Sequence, residues 1–151
     1  MKLLNAKEEA SALMEYYRGD KCMAACMAVL SQQFQVIQTR SQLLLSLAAL
    51  VLTITGFSGP KIAATNHLAR ILMMIGIVLD LISICMLLTQ GLTVRWSTQI
   101  RGESEMETLE WIILNRNRKT SSYGAALLLL MVALFSYIGS VVVYLVYFNQ
   151  I

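Results

Sequence analysis

The stretch ILMMIGIVLDLISICMLLTQ, residues 71–90, decides the fold of this chain. It has the length of a helix that crosses a bilayer, about 20 residues. Apart from small hydroxyls and Gln90, its only polar residue is Asp80, which lies near the centre. Carboxylates inside membrane helices are rare and commonly functional. The stretch therefore predicts a transmembrane helix and makes Asp80 the first candidate for a functional residue.

Composition extends this prediction to the whole chain. Hydrophobic residues make up 57% of the 151 residues and charged residues only 14%. Two more segments, residues 42–58 and 123–148, contain no charged residue and are long enough to cross a bilayer. A soluble helical bundle would instead mix charges among apolar residues at helical period. We therefore predict an all-α, multi-pass membrane protein with three transmembrane helices.

The positions of lysine and arginine predict the orientation. Five precede the first span, two lie between the first and second spans, five lie between the second and third, and none follows the third. A cytoplasmic N-terminus and an outside C-terminus place ten of them in the cytoplasm, as the positive-inside rule prefers. We expect an integral protein of a bacterial inner (plasma) membrane. Residues 1–41 would form a cytoplasmic helical segment ahead of a three-span domain, residues 42–148.

Helix boundaries are predicted from capping and turn residues. Residues 4–18 predict a first helix, with Gly19 as its C-cap and Asp20 as the N-cap of a second helix. No Gly or Pro interrupts the second helix before Gly56, so it is expected to continue into the first span. The sequence GFSGP, residues 56–60, predicts the turn that ends it.

The later helices have weaker boundary signals. Asn66 or Thr65 is expected to cap the second span, and Ser104 with Glu107 forms a capping-box pattern. That pattern predicts a cytoplasmic helix of about residues 105–116, separate from the third span.

A heptad pattern of apolar residues precedes the first span and reaches into it as Leu44, Ala48 and Val51. Two interpretations remain open: the seam packs against the second connection of the same chain, or it is a coiled-coil interface between copies. Its members are Met23, Met27, Leu30, Phe34 and Ile37.

Small residues also recur on the faces of the spans. The first span carries Ser46, Ala49, Thr53 and Gly56 on one stripe, and the third carries Ser136 and Ser140. Such residues allow helix backbones to approach closely in lipid. These stripes predict contacts between helices.

Asp80 shares one helix face with Gly76 and Ser83. An ionised carboxylate facing lipid is costly, and no Lys or Arg lies at the same depth. We therefore expect Asp80 to face protein or water and to be a neutral, hydrogen-bonding acid. The expected partner is a hydroxyl, and the residues at matching depth are Ala49, Thr53, Ser136 and Tyr137.

Signals of catalysis and of cofactor or metal binding are missing from the sequence. It contains no Gly-rich phosphate loop, no metalloprotease motif and no set of Ser, His and acid, so we expect neither an enzyme nor a bound cofactor. Its single histidine, His67, cannot form a metal site alone. The three cysteines, Cys22, Cys26 and Cys85, are expected to pack as small apolar residues. No basic patch with interleaved aromatics indicates nucleic-acid binding.

Three functions are compatible with these patterns. The first is a homo-oligomeric helical assembly in the bilayer, of which a pore or channel is one form. The second is an accessory or scaffold subunit of a larger membrane complex, in which Asp80 pairs with another membrane subunit. The third is proton- or cation-coupled transport through Asp80, which the uninterrupted second span disfavours.

Overall fold

The computed structural model of the chain describes residues 4–17, 19, 22–92 and 104–148, and side chains at all of these except 90–92 and 148. Within these residues it contains four helices and no strand. The all-α prediction is confirmed. The helices are α1 (Ala6–Tyr16), α2 (Cys22–Ala63), α3 (His67–Leu92) and α4 (Glu105–Phe148).

Three of these helices are long and apolar enough to cross a membrane, namely α2, α3 and α4. This confirms the predicted number of membrane-length helices, and each predicted span lies within one of them. The 42 residues of α2 and the 44 residues of α4 correspond to about 63 and 66 Å, roughly twice the 30 Å of a hydrocarbon core. Both helices are therefore longer than the bilayer requires.

Helix α1 begins at a capping box. The side chain of Asn5 accepts a hydrogen bond from the Ala6 N–H (2.8 Å), and the Asn5 N–H donates to a carboxylate oxygen of Glu8 (3.1 Å). This cap places the start two residues after the predicted one. Gly19 has φ of +147°, which only glycine adopts easily, in agreement with a predicted break there. The predicted N-cap Asp20 lies outside the described residues.

The predicted turn at residues 56–60 is wrong. Helix α2 continues through Gly56, Gly59 and Pro60, and the chain turns only between Ala63 and His67. Pro60 donates no N–H, but its carbonyl still accepts from the Ala64 N–H at 3.2 Å. A turn in an apolar environment would leave several backbone groups unpaired, which costs more than the one bond that proline removes. Asn66 then caps α3, as predicted, by accepting from the Leu68 N–H at 3.2 Å.

The predicted separation of residues 105–116 from the third span is also wrong, because both belong to α4. No proline lies between them, and the Thr120 hydroxyl donates to the Arg116 carbonyl within the helix (3.0 Å). The polar residues that suggested a loop thus bond to their own helix. The predicted cap at the start is present, since Ser104 Oγ accepts from the Glu107 N–H at 3.1 Å.

The chain divides into two compact units, with boundaries after Arg40, Gln90 and Ser121. Unit 1 contains α1, the first part of α2 and the first part of α4. Its core is apolar and consists of Ala6, Ala10, Cys26, Leu30, Leu109, Ile112 and Ile113.

One polar cluster ties the three helices of unit 1 together. The guanidinium of Arg116 on α4 contacts both carboxylate oxygens of Glu9 on α1, at 2.7 and 2.8 Å, and the side-chain oxygen of Gln33 on α2 at 2.8 Å. A bidentate Arg–carboxylate pair fixes geometry as well as charge. Arg116 therefore fixes the positions of α1 and α2 relative to the start of α4.

Unit 2 contains the rest of α2, α3 and the rest of α4. Its buried residues recur at spacings of three and four on α3, which puts them on one helix face. The buried residues of α2 and α4 in unit 2 lie three, four or seven residues apart, so they too lie on one face of each helix. The three helix faces share one interior. These faces are Ala69, Met73, Gly76, Asp80, Ser83 and Leu87 on α3; Leu44, Ala48, Val51, Thr55 and Ile62 on α2; and Ala126, Leu130, Ala133 and Ser140 on α4.

Candidate functional site

The contact between α3 and α4 positions the candidate site. The Ser140 hydroxyl donates to the Ala69 carbonyl (3.0 Å), and the Ser83 hydroxyl donates to the Ala126 carbonyl (2.9 Å). Halfway between these two hydrogen bonds on each helix, Gly76 meets the Ala133 carbonyl. The three contacts fall at seven-residue intervals on both helices, so one face of each is held against the other throughout.

Gly76 permits the closest part of this contact. A Cβ atom at Gly76 would lie 3.2 Å from the backbone oxygen of Ala133, and 3.6 Å from both Ser136 Cβ and the Tyr137 nitrogen. The backbone oxygen cannot move aside as a flexible side chain could. A glycine therefore sets the distance between α3 and α4 one helical turn from Asp80.

Asp80 lies in the interior of unit 2, on the same face as Gly76 and Ser83, and is only 1% exposed. Neither carboxylate oxygen has a hydrogen-bond partner among the described residues. A buried polar group without a partner costs about 1–3 kcal/mol even when neutral, and far more when charged. Asp80 is thus the most unfavourably placed polar side chain in this interior, which is typical of a functional group rather than of packing alone.

Apolar clusters lie on both sides of Asp80 along the helix. Toward the start of α3, Met73 and Ala69 pack with Ile62 of α2. Toward its end, the cluster consists of Leu44, Ala48, Leu87, Ala126 and Leu130. Met73 and Leu87 each lie seven residues from Asp80, which is about 10 Å along a helix. The carboxyl group is therefore enclosed between two apolar layers.

Two of the three predicted hydroxyl partners of Asp80 make other bonds. Thr53 is exposed, and its hydroxyl donates to the Ala49 carbonyl of its own helix at 2.7 Å. The Tyr137 hydroxyl lies 3.0 Å from Ser58 Oγ, and Ser136 is half-buried beside Gly76. The expectation that a hydroxyl pairs with Asp80 is therefore not met within the described residues.

Sequence reasoning missed Thr55, which is buried in unit 2 and bonds to the Val51 carbonyl. The sequence did contain a signal that Thr55 is buried. The apolar seam predicted through Leu44, Ala48 and Val51 continues at the next step of four to Thr55, not to Thr53. The polar residue that α2 contributes to the interior is thus predictable from the period of the seam.

The heptad seam of α2 in unit 1 packs within the chain. Leu30 is buried in the core, while Met23, Met27 and Phe34 pack against that core partly buried. The neighbours include Leu109, Ile112 and Ile113 of α4, in the second connection of the same chain. Ile37, the last residue of the seam, is half-buried. The contacts that the structure shows for the seam are thus made inside one chain, as the first of the two interpretations expects, and a coiled coil between copies stays a prediction.

A different face of α2 is open in unit 2. Gln42, Ser46, Ala49, Thr53 and Gly56 are all exposed, and their spacings of four and three place them on the side opposite the buried residues. A Cβ atom at Gly56 would meet nothing within 4 Å. We call these five residues the small-residue face. Four of the five are predicted members of the small stripe, and the structure leaves that stripe uncovered by the described part of the chain.

Large apolar residues are exposed on α2 as well, at Leu43, Leu47, Leu50, Ile54 and Phe57, but the described exposed faces of α3 and α4 in unit 2 have no stripe of small residues beside them. The faces of α3 and α4 carry mostly large apolar side chains, as expected for surfaces in contact with lipid. On α3 an open apolar groove of about 390 Å³ is lined by Val78, Leu81, Ile82, Cys85, Met86 and Thr89. The exposed large residues of α4 are Leu128, Met131, Val132, Phe135, Ile138, Val142, Leu145 and Val146.

No group of three or more His, Cys, Asp or Glu side chains suitable for a metal ion occurs among the described residues. Comparisons with protein-family models, with curated proteins and with solved structures find no match to this chain. Asp80 and the small-residue face of α2 are therefore the features of the described structure that bear on function.

Proposed function

We propose that this protein is an integral membrane protein that assembles with copies of itself through the small-residue face of α2. In this proposal the N-terminus lies in the cytoplasm, the C-terminus lies outside and the membrane is a bacterial inner (plasma) membrane. The observation that carries the proposal is the exposure of Gln42, Ser46, Ala49, Thr53 and Gly56 on the side of α2 opposite its core.

The energetics of helix packing in lipid support this choice of surface. Lipid tails and apolar side chains attract each other about equally, so helices associate in membranes where small residues let their backbones come close. Ala49 and Gly56 provide that approach along one stripe of α2, which large apolar residues flank on one side, whereas the exposed faces of α3 and α4 carry mostly large side chains and no such stripe. A second copy therefore gains most contact area at α2.

The charge and polarity of this surface suit an identical partner. Residues 41–60 of α2 contain no charged side chain, so two copies meet without repulsion. The amide of Gln42 both donates and accepts, and it can pair with the same residue of a copy. The hydroxyls of Ser46 and Thr53 already donate to carbonyls of their own helix, at 3.1 and 2.7 Å. Close packing therefore leaves no hydroxyl donor unpaired.

A pore or channel is the more specific form of this assembly. It would require more than two copies, with the small and polar side chains of α2 turned toward a common axis. The accessory-subunit alternative is weakened by the burial of Asp80, because a carboxyl group that is 1% exposed is not accessible to a cation of another subunit. Ion transport through Asp80 would require the packed interior around this residue to open.

The mass of the assembly tests the proposal. Light scattering or native mass spectrometry of the protein in lipid nanodiscs should give more than one copy. Ala49→Leu should lower the number of copies, because the larger side chain separates the helices. Ala125→Leu is the matched control, since Ala125 is an exposed alanine on α4 outside the small-residue face. A monomeric wild type in lipid, or equal effects of the two variants, would rule the proposal out.

A further inference from the structure

We propose that Asp80 is an occluded proton-binding site. In the packed form of unit 2 its carboxyl group holds a proton, and it releases that proton to water only when the three helices move apart. This inference is independent of the assembly through α2, because it concerns the interior of one chain.

The surroundings of the carboxyl group determine its charge state. Asp80 is 1% exposed, and neither oxygen has a hydrogen-bond partner among the described residues. A carboxylate stays charged in such a place only with a cation or several donors beside it. The two buried hydroxyls that α2 and α3 contribute to this interior are already used, since Ser83 donates to the Ala126 carbonyl and Thr55 to the Val51 carbonyl. The neutral acid is therefore the form that the packed interior accommodates.

The charged and titratable groups on all three helices support the same conclusion. Residues 41–60 of α2 contain none, and on α3 the other titratable side chain between residues 71 and 89 is Cys85, which is exposed. On α4, residues 122–148 contribute no charged residue, and their titratable side chains are Tyr123, Tyr137, Tyr144 and Tyr147. Tyr137 is beside the Gly76 turn, and its hydroxyl pairs with Ser58. Within these parts of α2, α3 and α4, no cation compensates an ionised Asp80.

Proton release is thus linked to opening. The O–H bond of the acid breaks, its electron pair stays on the carboxylate, and the proton passes to water, so no further reactant is needed. The apolar clusters around Met73 and Leu87 separate the carboxyl group from either end of the interior. Water reaches it only when the helices separate, and a higher pH then favours the open form because the open form binds fewer protons.

Infrared difference spectroscopy tests the charge state directly. Wild-type protein in lipid nanodiscs at neutral pH is compared with Asp80→Asn. We expect the difference spectrum to contain the carbonyl stretch of one protonated carboxylic acid and no carboxylate band. A carboxylate band with no acid band would overturn the proposal.

The pH dependence of unfolding tests the linkage and remains informative if the variant changes the packing. For the wild type, the equilibrium constant of unfolding should rise by up to about tenfold per pH unit between about pH 4, where an exposed aspartate titrates, and neutral pH, where the buried acid still holds its proton. Asp80→Asn should remove this dependence, because its amide resembles the neutral acid and cannot ionise. Ser83→Ala and Tyr137→Phe should retain it, since neither removes the carboxyl group. The same slope in wild type and Asp80→Asn would contradict the linkage.

Discussion

Gly76 shows how one residue can set the geometry of the interior. The turn of α3 that carries it lies against the Ala133 carbonyl, so close that a methyl group would be 3.2 Å from this oxygen and would push the two backbones apart. A substitution there acts on the α3–α4 distance and so on the enclosure of Asp80, which is one turn away on the same face. Gly124, in contrast, has nothing within 4 Å of where its Cβ would be.

Gly76→Ala should therefore lower the free energy of unfolding by about 1–3 kcal/mol, the usual cost of forcing a methyl group into a packed core. The measurement is reversible denaturation in detergent, followed by circular dichroism. Gly124→Ala is the matched control and should be neutral or slightly stabilising, because alanine favours helix over glycine. If Gly76→Ala proved as harmless as the control, the close approach of α3 to α4 would not exist.

Cys26 provides a second test at the level of one residue, in unit 1. It is fully buried, and burial raises the pKa of its thiol, with a further contribution from Cys22 beside it. A raised pKa means less of the reactive thiolate at any pH below it. In single-cysteine variants, a water-soluble maleimide should react with Cys26 more than about tenfold more slowly than with half-buried Cys22. Equal rates would show that the core around Cys26 is open to water.

Residues in the interior were predictable where the helical period was followed to its end. Asp80, Gly76 and Ser83 share a buried face because they lie four and three residues apart. Thr53 was a wrong choice of partner, since depth alone cannot distinguish it from Thr55, and only the period places Thr55 inside. That both Asp80 oxygens lack a partner was not predictable, because it depends on which bonds the neighbouring hydroxyls make first.

Among the elements, the end of α2 was the hardest to predict. Glycine and proline mark turns in water because a turn there exposes its backbone to solvent at little cost. In an apolar environment each unpaired backbone group costs several kcal/mol, so the helix continues past them. The same physics joins the start of α4 to its membrane-length part, where Ser and Thr side chains bond to the helix itself.

Pro60→Ala distinguishes a helix from a turn by the sign of its effect. In a continuing helix, alanine restores an N–H that can bond to the Gly56 carbonyl, so the variant should be more stable than wild type by up to about 3 kcal/mol. In a turn, the loss of the fixed proline φ would instead destabilise the protein. Thermal unfolding in detergent provides the comparison, and a destabilised variant would contradict the continuous α2.

For the whole molecule, composition and hydropathy were sufficient to predict the class. Three long apolar segments, two of them free of charge and one with Asp80 alone, predicted three membrane-length helices, and these are present. The separation into two units was less predictable. It depends on contacts such as Arg116 with Glu9, which are more than a hundred residues apart in sequence. Which face of each helix stays exposed is likewise predictable only when the buried residues of that helix are known.

For the whole molecule, the small-residue face is the surface that remains open for association. The seam that the sequence offered for oligomerisation is used inside unit 1, at Met23, Met27 and Leu30. The open surface is instead on the part of α2 in unit 2, where a stripe of small, uncharged residues is exposed beside the large apolar residues Leu43, Leu47, Leu50, Ile54 and Phe57. Association through α2 would leave the large apolar side chains of α3 and α4 to face lipid, which is the arrangement that a bilayer favours.

Disulfide cross-linking in lipid tests whether copies of the chain meet at the small-residue face of α2. In a chain whose three cysteines are replaced by alanine, single cysteines are introduced by Ala49→Cys on the small-residue face and by Ala125→Cys on α4, and the nanodisc or vesicle sample is mildly oxidised. We expect covalent dimers for Ala49→Cys and none above background for Ala125→Cys. Dimer yields from Ala49→Cys no higher than those from Ala125→Cys would contradict assembly through α2.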